Sequence, residues 1–149
     1  MKILTNHKKN SFLSIKNIKK KKIYTFKIII TKKMHFNFIK LSGDNSPIHS
    51  DLKFCKKNNF KSLVGHAFLI TTILSQIYGL YIPGGTELCL RQTCNFKKPF
   101  FIGDKLIIKI KILEINKFSK TAILSTKIKN QKNLNIFEGQ AILLLNLKK

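Results

Sequence analysis

The chain has 149 residues, 44% of them hydrophobic, so it can bury one core and we expect a single domain over residues 1–149. No apolar run approaches the ~18 residues that cross a bilayer, and the basic N-terminus lacks the apolar stretch of a secretory signal. Three cysteines without a C-x-x-C pair argue against a disulfide framework or a zinc ribbon, and they fit a reducing cytoplasm.

The formal net charge is +23, which taken alone suggests nucleic acid or another anionic partner. Arg91 is the only arginine among the 29 basic residues, although arginine is the residue best suited to bidentate contacts with phosphates and bases. The lysines are scattered through predicted strands, apart from the run Lys19–Lys22. We therefore expect most of the charge to lie on solvated faces and expect no nucleic-acid partner.

The first third of the chain predicts one strand and two helices. Residues 1–22 carry many Lys and Asn with a weak pattern, which predicts either a first strand or a loose basic arm. β-Branched and aromatic residues predict a strand over Tyr24–Thr31, and apolar residues at helical spacing predict a helix over Met34–Leu41. A loop is expected over Ser42–Ser50 and a short helix over Asp51–Asn58.

The segment His66–Tyr78 is apolar almost all the way round and stops at Gly79, which predicts a buried helix. Four long β-branched segments follow and should pair in succession as an antiparallel meander: Glu87–Phe96, Lys105–Ile115, Lys120–Lys129 and Ile136–Leu147. A curved sheet wrapped round the helix would cover it with a single layer. The pattern therefore predicts an α+β protein with the hot-dog fold, a curved antiparallel sheet around one long buried helix.

The residues that suggest chemistry lie in the predicted loop. The chain has only six acidic residues, and two of them, Asp44 and Asp51, flank His49. A carboxylate and an imidazole five residues apart can face one small molecule, whereas the structural alternative is a turn at Asp44 and a helix N-cap at Asp51. We take Asp51 as the cap and Asp44 as the functional acid.

The run Leu41–Asp51 (LSGDNSPIHSD) resembles the signature S-G-D-x-N-P-x-H-x-D of MaoC-like acyl dehydratases and (R)-specific enoyl-CoA hydratases. The resemblance continues to His66, which begins H-A-F-L where the family has H-G-M-L, and to Pro99 and Gly103-Asp104, which match the family's P-V-x-x-G-D. It covers about two-thirds of the chain, and its motifs are specific because they occur together in fixed register.

This resemblance implies hydration or dehydration of a 2-enoyl or (R)-3-hydroxyacyl thioester. Asp44 and His49 would activate a water molecule, and the amide of Ala67, at the start of the buried helix, would bind the thioester oxygen. The resemblance also implies a substrate-binding set consisting of Ser46, His66, Phe68, Ser75 and Tyr78. Because a tyrosine would fill space that a long chain needs, we expect a short or polar acyl group.

Several other residues receive structural interpretations. His66 is expected either to bind substrate or to be a helix-start residue bonded to the backbone, and His7 and His35 are expected at the surface. Cys55 is expected in the core, and the Gly103-Asp104 turn is expected to be structural. We find no metal-ligand cluster and no dinucleotide fingerprint, so no metal or cofactor is expected beyond coenzyme A or phosphopantetheine as part of the substrate.

Two other functions remain open. One is a thioesterase of the same fold, although the predicted central helix carries no acidic residue that would serve it. The other is a module that binds acyl thioesters or nucleic acid without catalysis, which the departures from the family pattern at Ser46, Ala67 and Phe68 keep open. Whichever function holds, we expect a homodimer with its acyl tunnel near the interface, because a small hot-dog domain exposes a sheet edge and a ligand groove.

Overall fold

The computed structural model describes residues 1–10, 12–85 and 87–145. Within these ranges, no helix is both long enough and apolar enough to span a membrane. The elements in chain order are β1 (Ile23–Ile29), α1 (Lys32–Ser42), α2 (Pro47–Ser50), α3 (Leu52–Lys57), α4 (Ala67–Leu80), β2 (Leu88–Gln92), β3 (Asn95–Phe96), β4 (Lys105–Asn116), β5 (Thr121–Lys129) and β6 (Asn135–Leu144).

All six strands form one antiparallel sheet in the order β1-β4-β5-β6-β2, with β3 also paired to β6. The meander expected from the sequence is correct for β4, β5 and β6. It is wrong for Glu87–Phe96, which pairs with β6 instead of β4 and is split into β2 and β3. A register shift between Cys89 and Arg91 interrupts the first part. Gly139 allows the split, because a side chain there would collide with the Thr93 carbonyl oxygen.

The sheet buries one face and exposes the other, as strict alternation requires. In β4, Leu106, Ile108 and Ile110 are fully buried, while the intervening Lys109 is exposed. These side chains and their neighbours on β5 and β6 form one cluster with the inner face of α4. The predicted α+β hot-dog arrangement is confirmed. The last two residues of the predicted strand Ile136–Leu147 lie outside the described ranges.

Helix α4 is not covered all the way round, contrary to the sequence prediction. Its buried residues are Leu69, Ile70, Ile73, Leu74, Ile77 and Tyr78. On the opposite side Phe68 is 65% exposed and Ser75 is exposed. The helix also runs through Gly79 to Leu80, because tertiary packing outweighs the local cost of a glycine. One side of the central helix is therefore open in the single chain.

The N-terminal residues pack against the body of the protein. Leu4 forms a backbone bridge with Lys27 of β1, and the Asn10 amide donates to the Leu80 carbonyl at the end of α4. Ile18 is 4% exposed and belongs to the core cluster. The described residues of the segment 1–22 are thus neither a loose arm nor a regular strand, and they cover the β1 edge of the sheet.

Candidate functional site

Asp44 lies directly after Gly43, the residue that ends helix α1. Thr31 caps the start of this helix, and Gly43 ends it with φ 73°, a left-handed conformation that glycine adopts without strain. The Asp44 Oδ1 atom accepts from the Ser46 amide at 3.2 Å, and the side chain is 48% exposed. Hydrogen bonds from the Ser46 hydroxyl and then its amide lower the pKa of Asp44, so the group is a carboxylate at neutral pH.

The imidazole of His49 is fixed in one tautomer. Its Nδ1 lies 2.7 Å from the carbonyl oxygen of Val64, and because a carbonyl only accepts, Nδ1 carries the proton. In the neutral ring, Nε2 therefore presents a lone pair, and it lies 3.7 Å from Asp44 Oδ2. That separation is too long for a direct hydrogen bond and leaves both atoms free to contact one water molecule. The expected loop Ser42–Ser50 contains the one-turn helix α2, which carries His49.

His66 joins the same site through its ring. Its Nδ1 lies 3.3 Å from Asp44 Oδ2, and its imidazole is stacked on that of His49 with centroids 3.6 Å apart. Burial lowers the pKa of His66 most, and the neighbouring His49 lowers it further. A neutral His66 can donate its Nδ1 proton to the Asp44 carboxylate, which only accepts. The ring thus bonds a side chain, and the alternative of a ring bonded only to backbone is wrong.

His35 is a member of the site that the sequence analysis missed. It is fully buried on α1, and its Nε2 lies 2.7 Å from the carbonyl oxygen of His49, so the expectation of a surface residue is wrong. The periodicity placed Met34, Phe38 and Leu41 on the inner face, but Leu41 is 80% exposed because the helix is rotated toward His35. The one sequence feature that could have indicated a buried His35 is its position three residues before Phe38, which places both residues on the same face of the helix.

His7 also differs from its expectation, although it lies outside the site. It is half-buried, with its ring centroid 4.9 Å from Tyr24 and 5.4 Å from Phe26. Cys55, by contrast, is fully buried as predicted.

The remaining predicted site residues lie along α4. Ala67 begins the helix directly after His66, so its amide is one of the first-turn donors without a partner inside the helix. The Phe68 ring points outward and contacts Phe96 at a centroid distance of 5.9 Å. Ser75 is exposed, on the open side of the helix. The structure therefore brings Asp44, Ser46, His49, His66 and Ala67 together, and it places Phe68 and Ser75 on the uncovered face.

Tyr78 lies deep between α4 and the sheet. Its hydroxyl donates to Gln92 Oε1 at 3.1 Å and lies 3.4 Å from Thr126 Oγ1. Burial raises the pKa of Tyr78 to about 12, so the hydroxyl remains protonated. At 1.5 Å per residue it stands about 18 Å along the helix axis from His66. Tyr78 is therefore remote from the carboxylate and the two imidazoles.

The turn at Gly103-Asp104 supports the segment that leads into His66. Asp104 is 2% exposed, and its carboxylate accepts from the Phe101 amide at 2.9 Å and the Gln131 side chain at 2.8 Å. A backbone bridge joins Phe101 to Val64, whose carbonyl oxygen holds the His49 ring. The structural interpretation of this turn is confirmed.

The sequence model of the MaoC like domain matches residues 14–133. The chain belongs to this family. It is 29% identical over 108 residues to the (R)-specific enoyl-CoA hydratase of Aeromonas caviae, an alignment that covers 72% of this chain and 81% of that protein. It is 27% identical over 110 residues to a mitochondrial 3-hydroxyacyl-[acyl-carrier-protein] dehydratase of Solanum lycopersicum, covering 72% of this chain and 66% of that protein.

Among solved structures, the fold is similar to that of the unliganded R-hydratase PhaJ1 from Pseudomonas aeruginosa. The TM-score is 0.86 at 22% sequence identity, and the match covers 96% of this chain and 90% of that chain. At this identity the likeness concerns the fold.

One group of potential metal ligands is present in the described part of this MaoC-like chain. A carboxylate oxygen of Asp44 and ring nitrogens of His49 and His66 all lie within 4.8 Å of one another. A metal ion lies close to the plane of each imidazole that binds it. The two rings are stacked with centroids 3.6 Å apart and an interplanar angle of 27°, so no point at bonding distance from both rings lies close to both ring planes. This geometry does not fit a metal without a ring rotation.

Proposed function

We propose that this protein is a hydro-lyase that interconverts a 2-enoyl thioester and an (R)-3-hydroxyacyl thioester. The observation that carries the proposal is the position of Asp44 Oδ2, 3.7 Å from His49 Nε2 and 3.3 Å from His66 Nδ1, beside the start of α4. The names of the relatives, an enoyl-CoA hydratase and a 3-hydroxyacyl dehydratase, support the same reaction class.

We propose that Asp44 and His49 share one water molecule. The Asp44 carboxylate accepts a hydrogen bond from one water proton, and the lone pair of His49 Nε2 removes the other as the water oxygen bonds to Cβ. The same proton then passes from His49 to Cα, so the sum of the steps is addition of one water. The bond from His49 Nδ1 to Val64 stabilises the imidazolium that forms between the two steps.

The negative charge that develops on the thioester oxygen needs a donor. We propose the amide of Ala67, because it lies at the N-terminus of the 14-residue helix α4, where the helix dipole favours a negative charge. The alanine replaces the family's glycine but keeps the amide, which is the group that the chemistry uses. A donor of this kind contributes about 3 kcal/mol to stabilisation of the transition state.

We propose that Ser46, His66, Phe68, Ser75 and Tyr78 bind the substrate or position the groups that do. Ser46 and His66 both contact Asp44 and hold its carboxylate in place. Tyr78 limits the acyl chain to a short or polar one, because its buried ring is held by Gln92 and Thr126 and cannot swing aside without losing both contacts. The carrier is coenzyme A or phosphopantetheine, and no further cofactor or metal takes part.

We propose that the protein works as a cytoplasmic homodimer and binds no nucleic acid. Its three free cysteines suit a reducing compartment. The exposed strand β2 and the open side of α4 supply a surface for a second copy, and the scarcity of arginine argues against readout of phosphates and bases.

Turnover of crotonyl-CoA tests the function. We expect loss of the enoyl absorbance and formation of (R)-3-hydroxybutyryl-CoA on chiral analysis, with activity unchanged after dialysis against a chelator. Release of free thiol without a hydroxyacyl product would identify a thioesterase instead. Binding of acyl-CoA, or salt-dependent binding of duplex DNA, without any turnover would identify a non-catalytic module.

A further inference from the structure

We propose that His35 is a positioning residue for this reaction, and that its bond to the His49 carbonyl fixes the imidazole of His49 against Asp44. The inference rests on the proposed function, since it concerns the geometry of the Asp44–His49 pair. His35 does not touch the water or the substrate in this account. It acts through the main chain of His49.

Helix α2, which carries His49, cannot hold its own position. It has four residues, and helices of this length are not stable by themselves. Its attachments come from neighbouring segments. The Val64 amide donates to the Ile48 carbonyl at 3.1 Å, the His49 ring donates to the Val64 carbonyl at 2.7 Å, and His35 donates to the His49 carbonyl at 2.7 Å.

The bond from His35 links the elements that carry the two catalytic candidates. His35 belongs to α1, and the same helix ends at Gly43, directly before Asp44. The bond therefore fixes α2 relative to the helix that ends at Asp44. The His35 ring also packs 5.4 Å from the ring of His66 and 6.4 Å from that of His49, between centroids. A loss of this bond would let the Asp44–His49 separation of 3.7 Å drift.

Stability alone does not explain a histidine at this position. Because Nε2 donates to the His49 carbonyl, Nδ1 of the neutral ring is an acceptor, and this buried atom has no hydrogen-bond partner. A buried polar group without a partner is destabilising. An apolar side chain of similar size would fill the same space without that cost, but it could not donate to His49.

Replacement of His35 by Met and by Gln separates positioning from packing. Met fills the space without a donor, whereas Gln places its Nε2 amide at the same number of bonds from the backbone as the histidine Nε2. We expect H35M to lower kcat for crotonyl-CoA by about 10- to 100-fold, with KM changed less than about threefold, because small misplacements of reacting groups have effects of this size. H35Q should retain kcat within about threefold, and H7M, at a half-buried histidine outside the site, serves as the matched control.

The outcomes distinguish this inference from the proposed function. An inactive wild type overturns the proposed function, whereas an active wild type with an equally active H35M overturns only the role of His35. Equal losses in H35M and H35Q, or a loss confined to KM, would also contradict it. If H35M does not fold, H35L repeats the test, and failure of both to fold would show that the bond serves folding. Nitrogen NMR shifts of the His49 ring should change in H35M and return in H35Q.

Discussion

The hydrogen bonds of the histidine rings decide what each can do at this site. The Val64 carbonyl holds the proton on Nδ1 of His49, and Asp44 holds the proton on Nδ1 of His66. The two stacked rings therefore differ in which atoms they face. Of the two rings, His49 is the one whose Nε2 faces the carboxylate without a proton in its neutral form, so in the proposed mechanism His49 is the base and His66 orients Asp44.

The lowered pKa of His66 has a consequence for stability against pH. Well above pH 6.5 neither the folded nor the unfolded chain protonates this ring, so it contributes no pH dependence there. As the pH falls below 6.5, the unfolded chain binds the proton first, and the free energy of unfolding decreases. The pKa of Asp44 is also lowered in the folded chain, so the free energy of unfolding decreases further as the pH falls below 3.8, the ordinary pKa of this group.

We expect thermal unfolding to occur at a lower temperature at pH 5.5 than at pH 7.5, and we expect a smaller decrease in H66N. Asn offers an amide donor in place of Nδ1 but does not titrate. His7, whose pKa burial also lowers, supplies a remaining decrease in that variant. Equal decreases in the wild type and H66N, measured by circular dichroism, would contradict the assignment of a neutral His66.

Tyr78 provides a second test at the level of one residue. We expect Y78A to raise kcat/KM for a twelve-carbon enoyl-CoA relative to the four-carbon substrate, because only a long chain reaches this distant ring and its removal opens space beside α4. Y78F keeps the ring and removes only the hydroxyl, so its chain-length preference should match that of the wild type. A wild type whose activity rises from four to twelve carbons would contradict a short acyl pocket.

The sequence was sufficient to predict the Asp44–His49 pair and, through the family resemblance, to name Ser46 and His66 as site residues, but it missed His35 and could not predict how the three histidine rings pack. The pair stands in a motif with fixed spacing. His35 and His66 reach it only through tertiary packing, since the rotation of α1 and the path of the segment before α4 depend on contacts with distant residues. Periodicity chose the wrong face of α1 because Leu41, which completes the apolar pattern, lies in solvent.

At the level of elements, the short helix α3, which follows the His49 helix, is capped at its start by a side chain. The Asp51 carboxylate accepts from the amides of Lys53 and Phe54 at 2.7 and 3.2 Å, which confirms its predicted role as the N-cap of α3. Two of the otherwise unpaired donors of that helix are thereby satisfied.

We expect D51A to lower the free energy of unfolding by about 1 kcal/mol, because alanine cannot accept from these amides. D51N and D51S should stay within a few tenths of a kcal/mol of the wild type, since both residues are good N-caps. Urea unfolding measures the difference. A loss in D51N as large as that in D51A would mean that the charge of Asp51, and not its cap geometry, stabilises the helix.

The strands show where sequence pattern is reliable and where it is not. Strict alternation and short turns were enough to predict β4, β5 and β6 and their pairing. The pairing of β2 with β6 was not predictable, because a strand that follows a helix has no local signal for its partner. Its partner is set by closure of the sheet around α4.

At the level of the whole molecule, one edge of the sheet is covered and the other is exposed to solvent. The N-terminal segment covers β1 through the Leu4–Lys27 bridge, whereas β2 is an edge strand with four of its five residues exposed. Leu88 and Leu90 on this strand are 51% and 53% exposed, and Phe68 on α4 is 65% exposed. An open apolar edge of this kind favours pairing with another chain.

We expect the protein to elute with the mass of a dimer when light scattering is measured during gel filtration. L90D should shift the mass to that of one chain, because a charge on the strand opposes burial of this edge. L134D introduces the same change at a leucine that is 48% exposed, in the turn before β6, and should leave the mass unchanged. A monomeric wild type at micromolar concentration would contradict the dimer.

The comparison of two aspartate variants in the same segment tests the central claim most directly. D44N removes a charge from the carboxylate that faces His49, and D51N removes one seven residues later, at a position that caps α3. We predict that D44N lowers kcat/KM for crotonyl-CoA by about 1,000-fold, because the water that His49 deprotonates loses the carboxylate that holds it and acid–base catalysis fails, while D51N retains the wild-type value. Equal activity of D44N and the wild type would contradict the account.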